Sequence, residues 1–341
     1  MKRKSMSLIA LLLAVISILI LCPASLAEQA ESPYQNFVYD LPKGYKKANE
    51  QAGTVTEEKY TTYKYSEDGE KLEEIPAVLY VYTPYGYDPA KQYDILYLMH
   101  GIGDNEAYWF GMREYAPGGE RYSKAQQKYT TNVLDNMIAN GLCEGAIVVT
   151  PTFMDQYRDE DPASAGSTSR LIRFAYQMKN DIIPFVESKY ATYAGGNVSE
   201  ENLIATRDHR GYAGLSMGSM TGFQAIWTSC VEYMSYIGNF SGCDPQNSGI
   251  AAKVAELLNT KYADYDIKYW YNGNGTKDSV RDDHLAGYAL ILEQCPDKFQ
   301  EGEDYQNGDN CILVDKPEKG HAYNAWIVDL FNVMKVFFKA D

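Results

Sequence analysis

The chain has 341 residues, a formal charge of −15 and thirty tyrosines. That much negative charge repels phosphate backbones and anionic lipid, which excludes nucleic acid as a partner and leaves neutral polymers such as polysaccharides. Amphipathic tyrosine rings suit sugars, although they also suit strands.

The first segment, Met1-Lys-Arg-Lys4 followed by an apolar run from about Leu8 to Leu21 and by Ala24-Ser-Leu-Ala27, has the layout of a secretory signal peptide over residues 1–27. Its apolar run is shorter than the roughly 20 residues that span a bilayer. Secretion is therefore expected, with cleavage near Ala27, a mature charge of −18 as Lys2, Arg3 and Lys4 leave, and no membrane partner afterwards. Five cysteines remain, Cys143, Cys230, Cys243, Cys295 and Cys311, an odd number; Cys230 with Cys243 and Cys295 with Cys311 are open pairings. No cysteine or histidine spacing suggests zinc, and neither a metal nor another cofactor is expected. Oligomeric state is not encoded in any recognisable way.

Residues 28–57 read as a polar lead-in and 58–341 as one domain, without repeat or linker. In chain order, strands are expected at Ala77–Thr83, Asp94–Met99, Gly145–Thr150, Gly211–Leu215, Met234–Gly238, Ile267–Tyr271 and Cys311–Val314. Helices are expected at Gln126–Asn140, Leu171–Tyr190 with Pro184 kinking or dividing it, Met217–Thr228, and about 248–260, 283–294 and 322–339. Apolar strands alternating with helices predict an α/β fold, a mostly parallel sheet covered on both faces, with ligands bound beyond the carboxyl ends of the strands.

Within that order, Gly214-Leu-Ser216-Met-Gly218 falls between a strand and a helix. This is the setting of a nucleophile elbow, in which the serine takes a strained backbone and the glycines clear space for it. The competing reading is an ordinary serine in a glycine-rich loop. A nucleophilic serine needs a base, and His321, just after the last strand, stands where the order Ser…Asp/Glu…His puts it. His209 belongs at the opposite end of the sheet, His284 within a helix, and His100 in a loop, His100-Gly-Ile-Gly103, suited to lending amides. Asp278, in the turn after the strand at 267–271, is the expected acid; Asp282 and Asp283 are nearby rivals better suited to a helix N-terminus. The amides of Met217 and Ile102 are the expected oxyanion donors. Such a constellation implies ester hydrolysis through an acyl-enzyme.

The motifs Tyr97-Leu-Met-His-Gly-Ile-Gly-Asp104 with Trp109, Ala213-Gly-Leu-Ser-Met-Gly218, Gly275-Thr-Lys-Asp278, and Gly320-His321 with Trp326 resemble those of the secreted feruloyl esterases of carbohydrate esterase family one, esterase D-like α/β-hydrolases. The resemblance runs from about Tyr60 to the C-terminus. It implies the α/β-hydrolase fold, a triad of Ser216, Asp278 and His321, an oxyanion loop at Gly101-Ile102, and hydroxycinnamoyl esters of arabinoxylan as substrates. Ser219 departs from it, standing where relatives often have a second glycine. The acetylxylan or general carboxylesterases, acyltransferases and a non-catalytic carbohydrate-binding protein are the alternatives. Gly101, Trp109 and Trp326 are candidate substrate contacts, with plain packing as the other reading of the tryptophans. Segment 152–169 is a candidate cover for an acyl pocket. The oxygen-rich stretch 301–310 reads as a solvated turn rather than a calcium loop, and Arg207, His209 and Arg210 as surface charges.

Overall fold

The computed structural model describes residues 36–112, 129–157, 168–244, 248–304 and 307–339. The expected signal peptide and residues 158–167 of segment 152–169 thus lie outside the described residues. Eight strands form one sheet: β1 (Thr54–Tyr65), β2 (Lys71–Thr83), β3 (Ile95–Met99), β4 (Ile147–Thr150), β5 (Arg210–Leu215), β6 (Tyr236–Phe240), β7 (Tyr269–Gly275) and β8 (Cys311–Lys316). Their order is β1-β2-β4-β3-β5-β6-β7-β8. The β1–β2 hairpin and its junction with β4 are antiparallel, and β4 through β8 are parallel.

The central strands are buried along their whole length and mostly apolar because both faces are covered. Ile95, Tyr97 and Met99 join Ile147, Val149, Tyr212, Ile237 and Trp270 in one hydrophobic cluster, while the alternate residues Leu96, Leu98 and Val148 are equally buried facing the other way. On the cluster side lie α2 (Thr168–Gln177), α3 (Ile183–Lys189), α5 (Met217–Thr221), α6 (Ile250–Asn259) and α7 (Arg281–Gln294). On the other, α8 (Tyr323–Val336) packs over β6 and β7 beside α1 (Tyr129–Ala139). Short α4 (Glu200–Ala205), absent from the sequence reading, is capped by Ser199.

Several expectations change in detail. β1 begins inside the stretch read as lead-in. The helix expected to kink or divide at Pro184 keeps helical backbone there: α2 passes through a π turn, Met178–Ile182, and the proline follows directly after it in α3. A second π turn, Gly222–Ile226, follows α5. β7 runs on to Gly275, past the expected Tyr271, because Asn272 and Asn274, which look like loop residues, are buried and bonded to His284.

The surface-charge reading is overturned for Arg207 and for Arg210, the first residue of β5, while His209 stays partly exposed. Arg210 is buried and reaches both oxygens of buried Glu187 (Nε–Oε1 2.5 Å, Nη2–Oε2 2.9 Å), with further donors on the carbonyls of Leu203 and Tyr233. Arg207 donates to the carbonyls of Val231, Met234 and Asp266. Fixed carbonyls and a buried carboxylate pull these guanidinium groups inward, and no local pattern announces such partners. The five cysteines are buried free thiols, so neither open pairing forms.

Candidate active site

Ser216 is where β5 turns into α5. Its backbone is strained, with φ 51° and ψ −118°, and its amide is held by the carbonyl of Phe240 at 2.8 Å. The flanking glycines are required by contact. A Cβ on Gly214 would lie 2.5 Å from the Gly218 carbonyl group, and one on Gly218 only 2.4 Å from the carbonyl oxygen of His100. Those neighbours are backbone and cannot step aside. Gly218→Ala is accordingly expected to destabilise the fold by about 2–3 kcal/mol and to lower turnover as the loop at His100 is pushed away; a urea midpoint within error of the parent would contradict this. Ser219, the departure from the family pattern, donates to the carbonyl of Gly242 at 2.5 Å and ties α5 to the loop after β6.

The structure brings the three expected side chains together from segments far apart in the chain. Ser216 Oγ lies 2.8 Å from His321 Nε2, and His321 Nδ1 lies 2.8 Å from Asp278 Oδ1. The imidazole is partly open to solvent and the Asp278 side chain wholly buried. Burial works against the Asp278 charge, but the hydrogen bonds from His321 and the Val280 amide, with the polar Ser241 hydroxyl nearby, outweigh it and hold the carboxyl below its ordinary pKa. An ionised Asp278 fixes the proton of neutral His321 on Nδ1 and leaves Nε2 to accept from Ser216.

The loop after β3 closes the site from the other side. A Cβ on Gly101 would sit 3.4 Å from Ser216 Cβ, so this backbone lies directly against the serine. His100 Nδ1–H donates to the Gly101 carbonyl at 2.8 Å, and Nε2 accepts from the Thr152 hydroxyl at 2.7 Å. In a trans peptide the N–H points opposite to the C=O, so pinning Gly101 O sets the direction of the Ile102 N–H. Met217 is the first residue of α5, where the amides are unpaired and the helix dipole favours negative charge.

The other histidines lie elsewhere. His209 stacks on Tyr193 and meets Asp94 at 2.8 Å, at the amino ends of β3 and β5. His284 is fully buried between Asn272 and Asn274, and burial pushes its pKa down to about 3, which keeps it neutral. Of the rival acids, Asp283 accepts the amides of Cys243 and Asp244, and Asp282 pairs with Arg281 at the surface.

The tryptophans correct the expected substrate contacts. Trp109 is 0% exposed and donates to the Met99 carbonyl at 3.1 Å; Trp326 is 2% exposed and donates to Ser241 Oγ at 2.9 Å. Both pack, because each indole N–H finds its partner inside. Ser241 and Thr152 escaped the sequence reading. Their sole signal is a small hydroxyl residue at the carboxyl end of a strand, which is too common to single them out.

The Esterase family model, described as "Putative esterase", matches residues 74–335. The chain is 34% identical over 302 residues to endo-1,4-beta-xylanase Y of Acetivibrio thermocellus, covering 84% of this chain and 24% of that protein. It therefore spans about a quarter of the length of this curated relative. Among solved structures, a mutant of the feruloyl esterase module from Clostridium thermocellum complexed with sinapinate aligns with a TM-score of 0.70 at 28% identity, over 91% of this chain and 97% of that one. A ferulic acid esterase from Anaeromyces mucronatus shares the fold (TM-score 0.61, 20% identity, 89% of this chain and 98% of that one). With its elbow, its parallel sheet and a family match across most of its length, the chain belongs to the Esterase family and has the α/β-hydrolase fold.

Proposed function

We propose that this protein is a secreted serine esterase that removes hydroxycinnamoyl groups, feruloyl foremost, from the arabinoxylan of plant cell walls. The observation that carries the reading is the hydrogen-bonded chain from the strained Ser216 through His321 to buried Asp278. The likeness to a feruloyl esterase module over nearly the whole chain supports the choice of acyl group, and the likeness to a xylanase supports the polymer.

The geometry performs the reaction in two halves. Ser216 Oγ attacks the ester carbon while His321 Nε2 takes its proton, and the amides of Met217 and Ile102 hold the oxyanion. Asp278 stabilises the imidazolium. The tetrahedral species collapses, the sugar oxygen leaves with the proton from His321, and the acyl group stays on Ser216. Water, deprotonated by His321, then attacks the acyl-enzyme; ferulic acid departs and Ser216 regains its proton.

The test is product analysis on feruloylated arabinoxylan, methyl ferulate and acetylated xylan. Ferulate is expected from the first two at a rate well above acetate from the third. Brisk acetate release without ferulate would replace this reading with an acetylxylan esterase.

A further inference from the structure

Asp278 Oδ1 already carries two donors, His321 Nδ1 at 2.8 Å and the amide of Val280 at 3.0 Å. Oδ2 is buried and has no partner in standard hydrogen-bond geometry among the described residues. A buried carboxylate oxygen without a donor is costly, and a carboxylate held by one oxygen alone is free to rotate about its bond. The neighbouring donor is Ser241, whose hydroxyl is among the groups that draw the Asp278 pKa down.

Ser241 is built into its place. It is 0% exposed and holds φ at 61°, a left-handed backbone that residues with a Cβ rarely adopt. Its amide donates to the Gly273 carbonyl at 2.8 Å. The next amide, that of Gly242, lies 3.3 Å from His284 Nδ1, so the backbone on both sides of the Ser241 peptide is held by β7 and the imidazole packed on it. Trp326 Nε1–H approaches Ser241 Oγ at 2.9 Å. An indole N–H only donates, so the serine oxygen is the acceptor in that bond and its own proton is available elsewhere. The same indole stands edge-on to His321, ring centroids 4.9 Å apart at 88°.

We propose that Ser241 is a positioning residue for the Asp278–His321 pair: with its oxygen engaged by Trp326, it directs its proton to Asp278 Oδ2 and fixes the plane of the carboxylate that aims His321 at Ser216. The inference rests on the reading of Ser216, His321 and Asp278 as the working triad. Trp326 is then a brace for both the hydroxyl and the imidazole, which accounts for a buried indole beside an enzyme's base.

Loss of the hydroxyl leaves Asp278 more basic, so the imidazolium of His321 is better stabilised and the acid limb of the pH profile moves upward. The titratable groups that act on Asp278 are His321, His284, Lys316 and Asp329. Lys277, Glu318 and Lys319 lie on the two turns that carry Asp278 and His321, and Lys277 pairs with Glu318 at the surface. All of these are common to parent and variant, so a difference between the two profiles isolates Ser241.

The experiment compares the parent with Ser241→Gly, which deletes the hydroxyl and is at ease at positive φ, and with Trp326→Phe, which deletes the N–H and keeps a ring against His321. Turnover of 4-nitrophenyl acetate is followed across pH. Ser241→Gly is expected to lower kcat about tenfold at unchanged KM and to move the acid limb of kcat/KM up by about half a pH unit. Trp326→Phe is expected to shift the limb the same way by less, and the double variant to be no worse than Ser241→Gly, since both act through one hydroxyl. An unmoved limb in folded Ser241→Gly, with or without a fall in kcat, overturns the proposal; should that variant fail to fold, an unmoved limb in Trp326→Phe does the same. Ser216→Ala in the same assay keeps the two readings apart, because full turnover there would refute the triad itself.

Discussion

Ser216→Ala is expected to abolish ester turnover, with kcat falling by about 10⁵–10⁶-fold while the fold keeps its stability. Alanine retains the Cβ that makes φ 51° costly, so the strain at the elbow is the same in both proteins. Ser216→Gly should be equally inactive yet melt higher, by on the order of 1 kcal/mol, because glycine adopts this backbone without a steric penalty. His321→Ala should cost about as much activity as Ser216→Ala, and the double variant little more, since nucleophile and base act as one unit through the 2.8 Å contact between them. Single-turnover measurement of acyl release checks the activities, and urea unfolding checks the stabilities. Retention of more than a hundredth of parental kcat by Ser216→Ala would remove this residue from the chemistry. A Ser216→Gly variant that melts lower than the parent would mean that the elbow stores no strain.

The second large effect lies behind the site rather than in it. Lys316, at the end of β8, pairs with Asp329 of α8, and both side chains are 0% exposed. Tyr271 donates to the same carboxylate oxygen at 2.9 Å, Asn332 donates to Tyr271 at 3.1 Å, and the amide of Val38 donates to Asn332 at 3.0 Å. Strand β7 has a glycine where it crosses this carboxylate, since a Cβ on Gly273 would fall 2.0 Å from Asp329 Oδ1. Burial pushes Lys316 down and pushes Asp329 up, to about 6, with Lys316 partly offsetting the second shift. Lys316→Met leaves that carboxylate buried without its cation, and the expected loss at pH 7 is about 3–5 kcal/mol.

The sign of the pH dependence follows from the raised pKa. A carboxyl whose folded-state pKa exceeds its unfolded value stabilises the fold most at low pH and loses that contribution as pH rises through the folded value. Without Lys316 the Asp329 pKa climbs further, so the variant gains more than the parent on acidification, and its deficit narrows from pH 7 toward pH 5. Lys316→Met/Asp329→Asn should recover most of the loss, because no unpaired charge remains and the amide oxygen still accepts from Tyr271. A deficit below 1 kcal/mol, or one that widens on acidification, would contradict the assignment of a charged pair.

Much of the site was legible before any coordinates because its logic is local. Gly214, Ser216 and Gly218 sit between a run of small apolar residues and a helix, and this spacing is itself the steric requirement seen in the 2.4–2.5 Å clearances at the two glycines. His321 and Asp278 followed from chain order, since parallel strands present their carboxyl ends along one edge. The substrate contacts assigned to Trp109 and Trp326 did not survive. Their indoles turn inward onto Met99 and Ser241, and no spacing in the chain distinguishes a tryptophan that packs from one that binds.

By itself, then, the amino-acid order determined the alternation of strand and helix, the elbow at Ser216 and the residue types that share its edge, because each depends on near neighbours or on the succession of elements. Tertiary structure alone decided which polar groups went inside: Arg210 on Glu187, Lys316 on Asp329, His284 between two asparagines, and Ser241 beside Asp278. In a sequence, polarity reads as surface. A polar group is buried only when a partner remote along the chain arrives to satisfy it, and that partner exists only once the chain has folded.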